Sequence, residues 1–353
     1  MLPNNIVIAD APGQALADYL ADQHFSQLAV LVDENTLQHC YPLVKEHLPQ
    51  HLVVEIVSGE ANKTLDTCQV IWQQLTDAGF DRKGLLINLG GGVIGDMGGF
   101  CAATYKRGFS FVNVPTTLLA QVDASVGGKL GIDFGALKNH IGLFRIPDLV
   151  LISAQFLNTL SNRELRSGFA EVLKHGLIAD AAYWHKVTQR PFDAQNWAAI
   201  IPDSVAIKQQ VVEADPTEKG LRKILNYGHT LGHAVESFYL NRPGQRLLHG
   251  EAIAVGMLSE GWLSVQHAGL PQTALEAIEQ YVLATYHDLP AIDNEFLEAI
   301  VALTLHDKKN QGGKVNFSLL NAIGQCAYDV VVPEGDMAAA LRYYNKVRGE
   351  AAE

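Results

Sequence analysis

The chain has 353 residues, 48% hydrophobic and 18% charged, with a formal net charge of -12. Its length exceeds the roughly 250–300 residues that one hydrophobic core serves, so two domains are expected. The composition excludes a disordered chain, no apolar stretch approaches the ~20 residues of a membrane span, and the acidic balance excludes general affinity for nucleic acid. No basic segment precedes the first apolar run, so a soluble, cytoplasmic protein is expected. Cys40, Cys68, Cys101 and Cys326 are scattered without a C-x-x-C pair, which predicts small buried thiols rather than disulfides or a thiolate zinc site.

In chain order, short apolar runs at 5–9, 28–32, 52–57, 84–89, 111–114 and 149–152 alternate with helical patterns. Strands alternating with helices predict an α/β domain with a parallel, Rossmann-like sheet, and near-continuous apolar runs predict strands covered on both faces. After Ser153 helical periodicity takes over at 163–177, 203–213, 221–238 and 250–268. The second half therefore reads as all-α, with the boundary at residue 155. A small strand at 315–320 and a helix at 336–348 complete the chain.

Gly90-Gly91-Gly92-Val93-Ile94-Gly95-Asp96 follows the fourth run and opens a helical pattern. Glycines there let backbone N–H groups approach a diphosphate at a helix N-terminus, although a tight structural turn produces the same letters. The dinucleotide fingerprint would place this turn after the first strand, with an acidic residue about 20 positions on; neither holds here. Asp33-Glu34-Asn35 and Gly59-Glu60-Ala61-Asn62-Lys63, each just past an earlier run, offer ribose ligands or helix caps.

The helical half carries Asn226-Tyr227-Gly228-His229-Thr230-Leu231-Gly232-His233 and then Leu248-His249-Gly250-Glu251. Histidines at i and i+4 share a helix face, and with a third histidine and a carboxylate such as Glu171 they can surround a divalent metal. Spacing leaves open which histidines ligate. Arg107, Lys129, Lys138, Lys174, Lys208, Arg222, Lys308 and Lys309 give an acidic chain the cations that grip an anionic substrate, though singly such residues are ordinary surface charges.

Together these words resemble the 3-dehydroquinate synthase family. The resemblance runs through Gly59-Glu60 with Lys63, the glycine turn with Asp96, Arg107-Gly108, Pro115 to Asp123, Gly127-Gly128-Lys129, Lys138-Asn139, Glu171 with Lys174, Glu218 to Arg222, Asn226 to His233, Leu248 to Glu251, and Asp307-Lys308-Lys309. It implies a divalent metal, zinc or cobalt, on Glu171, His229 and His249. It implies NAD on Asp33, Asn35, Glu60, Lys63, Gly91, Gly92, Val93, Asp96, Thr116, Thr117, Asp123, Lys129 and Lys138. Catalytic roles are implied for Lys129, Lys174, Lys208, His233, Asn226, Arg222, Asp123 and Glu218, and substrate binding for Arg107, Lys138, Asn139 and Lys308.

The implied reaction turns an anionic sugar phosphate, 3-deoxy-D-arabino-heptulosonate 7-phosphate, into 3-dehydroquinate and phosphate, within the shikimate pathway. It proceeds by transient oxidation with NAD, phosphate elimination, re-reduction and intramolecular aldol closure. A homodimer and a site between the two domains are also implied. Leu130, Asp133 and Tyr227 depart from residues common in the family, and none of them holds an assigned role. A cyclase for sedoheptulose 7-phosphate and a metal-dependent polyol dehydrogenase are the rival readings; Arg222 and Asn226 fit the dehydroquinate pattern.

Overall fold

A computed structural model of the chain describes residues 5–124, 126–135, 137–240, 242, 244–304 and 315–350. The chain forms two compact units, the first comprising Met1–Leu165 and Trp197–Gln209 and the second Arg166–Asn196 and Gln210–Glu353.

The first unit contains strands β1 (Ile6–Ile8), β2 (Leu28–Asp33), β3 (Leu52–Ile56), β4 (Leu85–Gly90), β5 (Ser110–Pro115), β6 (Lys129–Phe134), β7 (Leu137–Phe144) and β8 (Leu149–Ile152). Helices α1 (Pro12–Ala21), α2 (Glu34–His39), α3 (Leu65–Asp77) and α4 (Gly92–Thr104) lie between them. Six strands make one parallel sheet in the order β1-β8-β5-β4-β2-β3, and these are the six apolar runs of the sequence. Side chains alternate across it as a period of two demands. Val30 and Val32 join Leu16, Leu89 and Val114 in a core on one face, while Ala29 and Leu31 join Ile71, Met97 and Phe111 on the other. Each fully buried Val, Leu, Ile, Phe or Met side chain contributes about 1.5–3 kcal/mol. The order in which strands are added across the sheet reverses between β2, which leads on to β3, and β4, which leads the other way to β5. In open α/β sheets a ligand crevice forms at the carboxyl ends of the strands flanking such a reversal.

The antiparallel pair β6–β7 was not legible in the sequence, because Gly131, Gly135 and Gly142 interrupt its apolar alternation. Its Leu130 and Ile132 nonetheless enter the core. The approach to α4 is close: a Cβ on Gly99 would lie 2.5 Å from Leu130 Cδ2.

Helices dominate from α5 (Asn162–Ala179) onward: α6 (Ala181–Thr188), α7 (Trp197–Ala214), α8 (His229–Leu240), α9 (His249–His267), α10 (Gln272–Thr285), α11 (Leu297–Thr304) and α12 (Glu334–Glu350). Strands β9 (Asn316–Ala322) and β10 (Gln325–Val331) form an antiparallel hairpin, of which sequence periodicity indicated only the first. Helix α5 starts where Ser161 Oγ accepts the Glu164 N–H at 3.3 Å, an N-terminal cap written as Ser-x-x-Glu. The helix expected over 221–238 is instead a 3₁₀ turn at Leu221–Asn226 followed by α8. Gly228, at φ +75°, makes the break, in a conformation that L side chains rarely adopt. The break serves packing, since a Cβ on Gly256 of α9 would lie 1.9 Å from the Gly228 carbonyl oxygen. Among the described residues no helix is long and apolar enough to cross a membrane.

Candidate active site

In the first unit the glycine-rich turn sits at the carboxyl end of β4, with Gly91 at the N-cap of α4 and no side chain capping that end. Its N–H groups and the helix dipole are therefore available to an anion. Packing holds the turn low, because a Cβ on Gly91 would approach Thr117 Cγ2 to 3.1 Å. Thr116 donates its N–H to Gly90 O at 3.1 Å, and Thr117 Oγ1 accepts the Ala120 N–H at 3.1 Å. A cleft beside the turn is lined by Asn88, Gly91, Asp96, Asn113 and Lys129.

Lys63, just after the 3₁₀ turn Glu60–Asn62 that follows β3, is buried, and its Nζ donates to Asp96 Oδ2 at 2.5 Å and Asn139 Oδ1 at 2.6 Å. Burial opposes its charge, but Asp96, Glu60 and Asp133 outweigh that and hold the ammonium above the usual lysine range. Lys138 Nζ lies 3.9 Å from Glu60 Oε1. Asp33 caps α2, accepting the Thr36 N–H at 2.7 Å, and Asn35 is exposed on the first turn of that helix. Asp123 lies in a π-helical turn, Ala120–Ala124, and receives Lys208 Nζ on both its carbonyl and its Oδ1 at 2.5 Å. Val93 is in the first turn of α4. Arg107 is placed elsewhere, exposed in the turn before β5 where the sheet's strands begin.

In the second unit the predicted metal residues come together. Glu171 on α5 is fully buried, and its Oε1 lies 3.3 Å from His229 Nε2 and 3.6 Å from His249 Nε2. Tetrahedral ligands at about 2.0–2.2 Å from one zinc stand about 3.3–3.6 Å apart, so these three atoms have the spacing of one metal's ligands. Neither Glu171 oxygen accepts a hydrogen bond of good geometry. Lys174 Nζ touches Glu171 Oε2, and with His229 it draws the Glu171 carboxyl well below its usual range against the opposing effect of burial. His233 shares the cluster, since the ligating atoms of His229, His233 and His249 lie within 4.8 Å of one another.

The rings are oriented from behind. His229 Nδ1 is 3.0 Å from Tyr227 O, which leaves Nε2 facing Glu171. His249 Nδ1 is 3.2 Å from Glu236 Oε2, the carboxylate–histidine arrangement that raises ligand basicity at metal sites. Burial and the nearby Lys174 push His229 down to about 4, keeping it neutral as a ligand must be. Burial also opposes charge on His249, but Glu171 and Glu236 outweigh it and raise that group to about 10.

Arg222 is buried and donates Nη1 to Pro216 O at 2.9 Å; Asn226 Nδ2 donates to Glu218 Oε1 at 3.1 Å, with Glu218 at φ +58°. Asp215 organises this loop by accepting the Gly220 N–H at 2.6 Å and the Arg222 N–H at 3.2 Å. Lys308 and Lys309 lie outside the described residues. Glu236 escaped the sequence reading, though its place seven residues after His229 on one helix face was a usable signal. The buried pair Asn88–Asn113, joined at 2.9 Å in the middle of apolar strands, gave no signal beyond two polar letters.

Solved structures match the chain over nearly its whole length. The chain superposes on a 2-epi-5-epi-valiolone synthase from Streptomyces hygroscopicus, solved with NAD+ and Zn2+ bound, at TM-score 0.84 with 25% identity, covering 98% of both chains. A glycerol dehydrogenase from Schizosaccharomyces pombe shares the fold alone, at TM-score 0.64 and 17% identity over 99% of this chain and 90% of that one. In sequence, the 3-dehydroquinate synthase N-terminal pattern matches residues 53–167 and the 3-dehydroquinate synthase C-terminal pattern residues 168–310. A 3-dehydroquinate synthase from Parabacteroides distasonis is 40% identical, covering 99% of this chain and all of the relative. One from Bordetella pertussis is 43% identical, covering 82% and 81%. The chain belongs to the 3-dehydroquinate synthase family, enzymes of the lyase class.

Proposed function

We propose that this enzyme converts 3-deoxy-D-arabino-heptulosonate 7-phosphate to 3-dehydroquinate and phosphate, using NAD on the α/β unit and one zinc or cobalt ion on the helical unit. The observation that carries the metal is the spacing of Glu171 Oε1 from the Nε2 atoms of His229 and His249, 3.3 and 3.6 Å. When bound, the metal polarises a substrate hydroxyl as a Lewis acid, and the nicotinamide accepts and returns a hydride.

The chain's own residues bind and orient. The uncapped start of α4 receives the diphosphate, and Asp33, Asn35 and Glu60, at or beyond the carboxyl ends of β2 and β3, meet the nucleoside end. Lys63 and Asp96 hold the crevice wall. Lys129, Lys138, Asn139 and Lys208 in the first unit, and Lys174, Arg222, Asn226 and His233 in the second, grip the carboxylate, hydroxyls and phosphate through charge-assisted bonds. Asp123 fixes the ammonium of Lys208, and Glu218 fixes the amide of Asn226. By the resemblance Lys308 joins the phosphate grip, whereas Arg107, in the turn before β5 where the strands begin, lies at the end of the sheet away from this crevice.

A homodimer is supported by the exposed apolar side chains of the β6–β7 region, Phe134, Phe144 and Ile146 at 59%, 71% and 69% exposure. Light scattering should give twice the chain mass. Four unpaired cysteines fit a reducing, cytoplasmic setting.

Phosphate release from 3-deoxy-D-arabino-heptulosonate 7-phosphate, with metal-replete protein and substoichiometric NAD, tests the proposal. Many phosphates per NAD with no lasting NADH are expected. Turnover of sedoheptulose 7-phosphate instead would move the assignment to another cyclase, and steady NADH from a polyol would make the protein a dehydrogenase.

A further inference from the structure

Helices α8 and α9 carry the three clustered histidines, and neither begins with a side-chain cap from its own N-cap residue. In α9 the Glu251 side chain accepts the Leu248 N–H on Oε2 at 2.7 Å, and further caps for both helices come from other helices. Glu260, near the middle of α9 and fully buried, accepts the Gly228 N–H on Oε2 at 2.6 Å and the Leu231 N–H on Oε1 at 2.9 Å. Ser167 on α5, four residues before Glu171 and also buried, accepts the Gly250 N–H on Oγ at 3.0 Å, one residue past His249.

We infer that Glu260 is a positioning residue of the metal centre: its carboxylate brackets His229 by holding the backbone N–H groups on either side of it, and so fixes the imidazole against Glu171. The inference rests on the metal reading proposed above. Three features make the arrangement more than ordinary packing. The carboxylate is buried where an unpaired charge is costly, and the N–H groups of a helix start, with its dipole, compensate it. The two N–H groups lie at residues 228 and 231, so the direction in which α8 launches His229 is set by a side chain on the helix that carries His249. The same helix pair is clamped by the Tyr227 hydroxyl donating to Met257 O at 2.9 Å and by the backbone contact at Gly256. Glu260 touches no metal ligand side chain in these contacts; it acts through the backbone.

The test is titration of Co2+ into the metal-free full-length protein, followed by the cobalt d–d absorption and by competition with a chelator. Glu260→Gln keeps the volume but turns an amide NH2 toward one of the backbone donors. It should weaken Co2+ binding about 10–100-fold, the range seen when outer-shell partners of metal ligands are removed, and change the band shape. Glu260→Asp, which keeps the charge, should recover part of the affinity. Tyr344→Phe, which removes the part-buried hydrogen bond that Tyr344 of α12 donates to Pro290 O at 2.6 Å, should lower the melting temperature while binding Co2+ like the parent. If Glu260→Gln does not fold, Ser167→Ala tests the same cross-helix support and should bind Co2+ several-fold more weakly. Parental affinity with an unchanged spectrum in Glu260→Gln, or in Ser167→Ala where that stands in, overturns the inference. His229→Ala separates the two levels: binding that survives there removes the metal reading and the inference with it. Binding lost in His229→Ala but intact in Glu260→Gln removes the inference alone.

Discussion

The two units build their sites from different materials. The crevice of the α/β unit is largely backbone, the N–H groups of an uncapped helix start reached past glycines, with Lys63 and Asp96 as a wall. The cluster of the helical unit is all side chain, Glu171 with His229, His233 and His249, and depends on partners that aim the rings. A backbone site is kept by whatever preserves the turn, whereas a side-chain site is lost with one atom group.

The strongest break of this comparison is Glu171→Gln. It should remove tight metal binding and lower phosphate release by at least about 10³-fold, while NAD affinity stays near parental; each 1.36 kcal/mol of lost transition-state stabilisation is a factor of ten. Metal content and NAD titration on one preparation would check it, and loss of NAD binding would contradict the separation of roles. The mirror experiment is Gly98→Ala, whose Cβ would lie 1.9 Å from Asn88 Oδ1 beneath the glycine turn. Overpacking of this kind should cost about 2–3 kcal/mol in denaturant unfolding and weaken NAD, with Co2+ affinity unchanged.

Glu236→Gln should be milder. Its amide still reaches His249 but no longer draws a proton or cation there, so metal affinity should fall about 10–100-fold without loss of fold. Smallest is Asp288→Asn, which weakens the paired bonds from Arg166 at 2.6 and 3.0 Å. Hydrogen bonding to Arg166 holds the Asp288 carboxyl below its usual range. The pair therefore stabilises the fold above the ordinary carboxylate range, and that contribution is lost as pH falls through the depressed folded value. With Asp288 about half exposed, the effect should stay under about 1 kcal/mol, read as a melting difference between parent and variant that vanishes in acid.

The same contrast governs what could be read from the letters. The parallel strands were legible because strands buried on both faces are spelled as unbroken apolar runs, and the glycine turn because only glycine permits so close a backbone approach. The β6–β7 pair was not, since its glycines, Asn139 and His140 break the alternation that marks a strand. In the helical unit, His229 and His233 were visible by their spacing on one helix face. The break at Gly228 was hidden inside an apolar periodicity that runs through it. Glu260 was invisible for a physical reason: its partners are main-chain N–H groups about 30 residues away, and a glutamate inside a helix reads as a surface charge.

The backbone contact between Gly228 and Gly256 also bears on how the molecule assembles. Those residues are 28 apart in sequence (228 and 256), while β1 must find β8 through Ile6 and Val150, 144 apart (6 and 150). Closing the shorter loop costs less chain entropy, and rates fall as contacts become less local. The histidine-bearing helix pair should therefore form ahead of the outermost strand during refolding. Pulse-labelled hydrogen exchange would read this as protection in α8 and α9 before β1, so that the pair holding the metal ligands is in place before the sheet is closed at its edge.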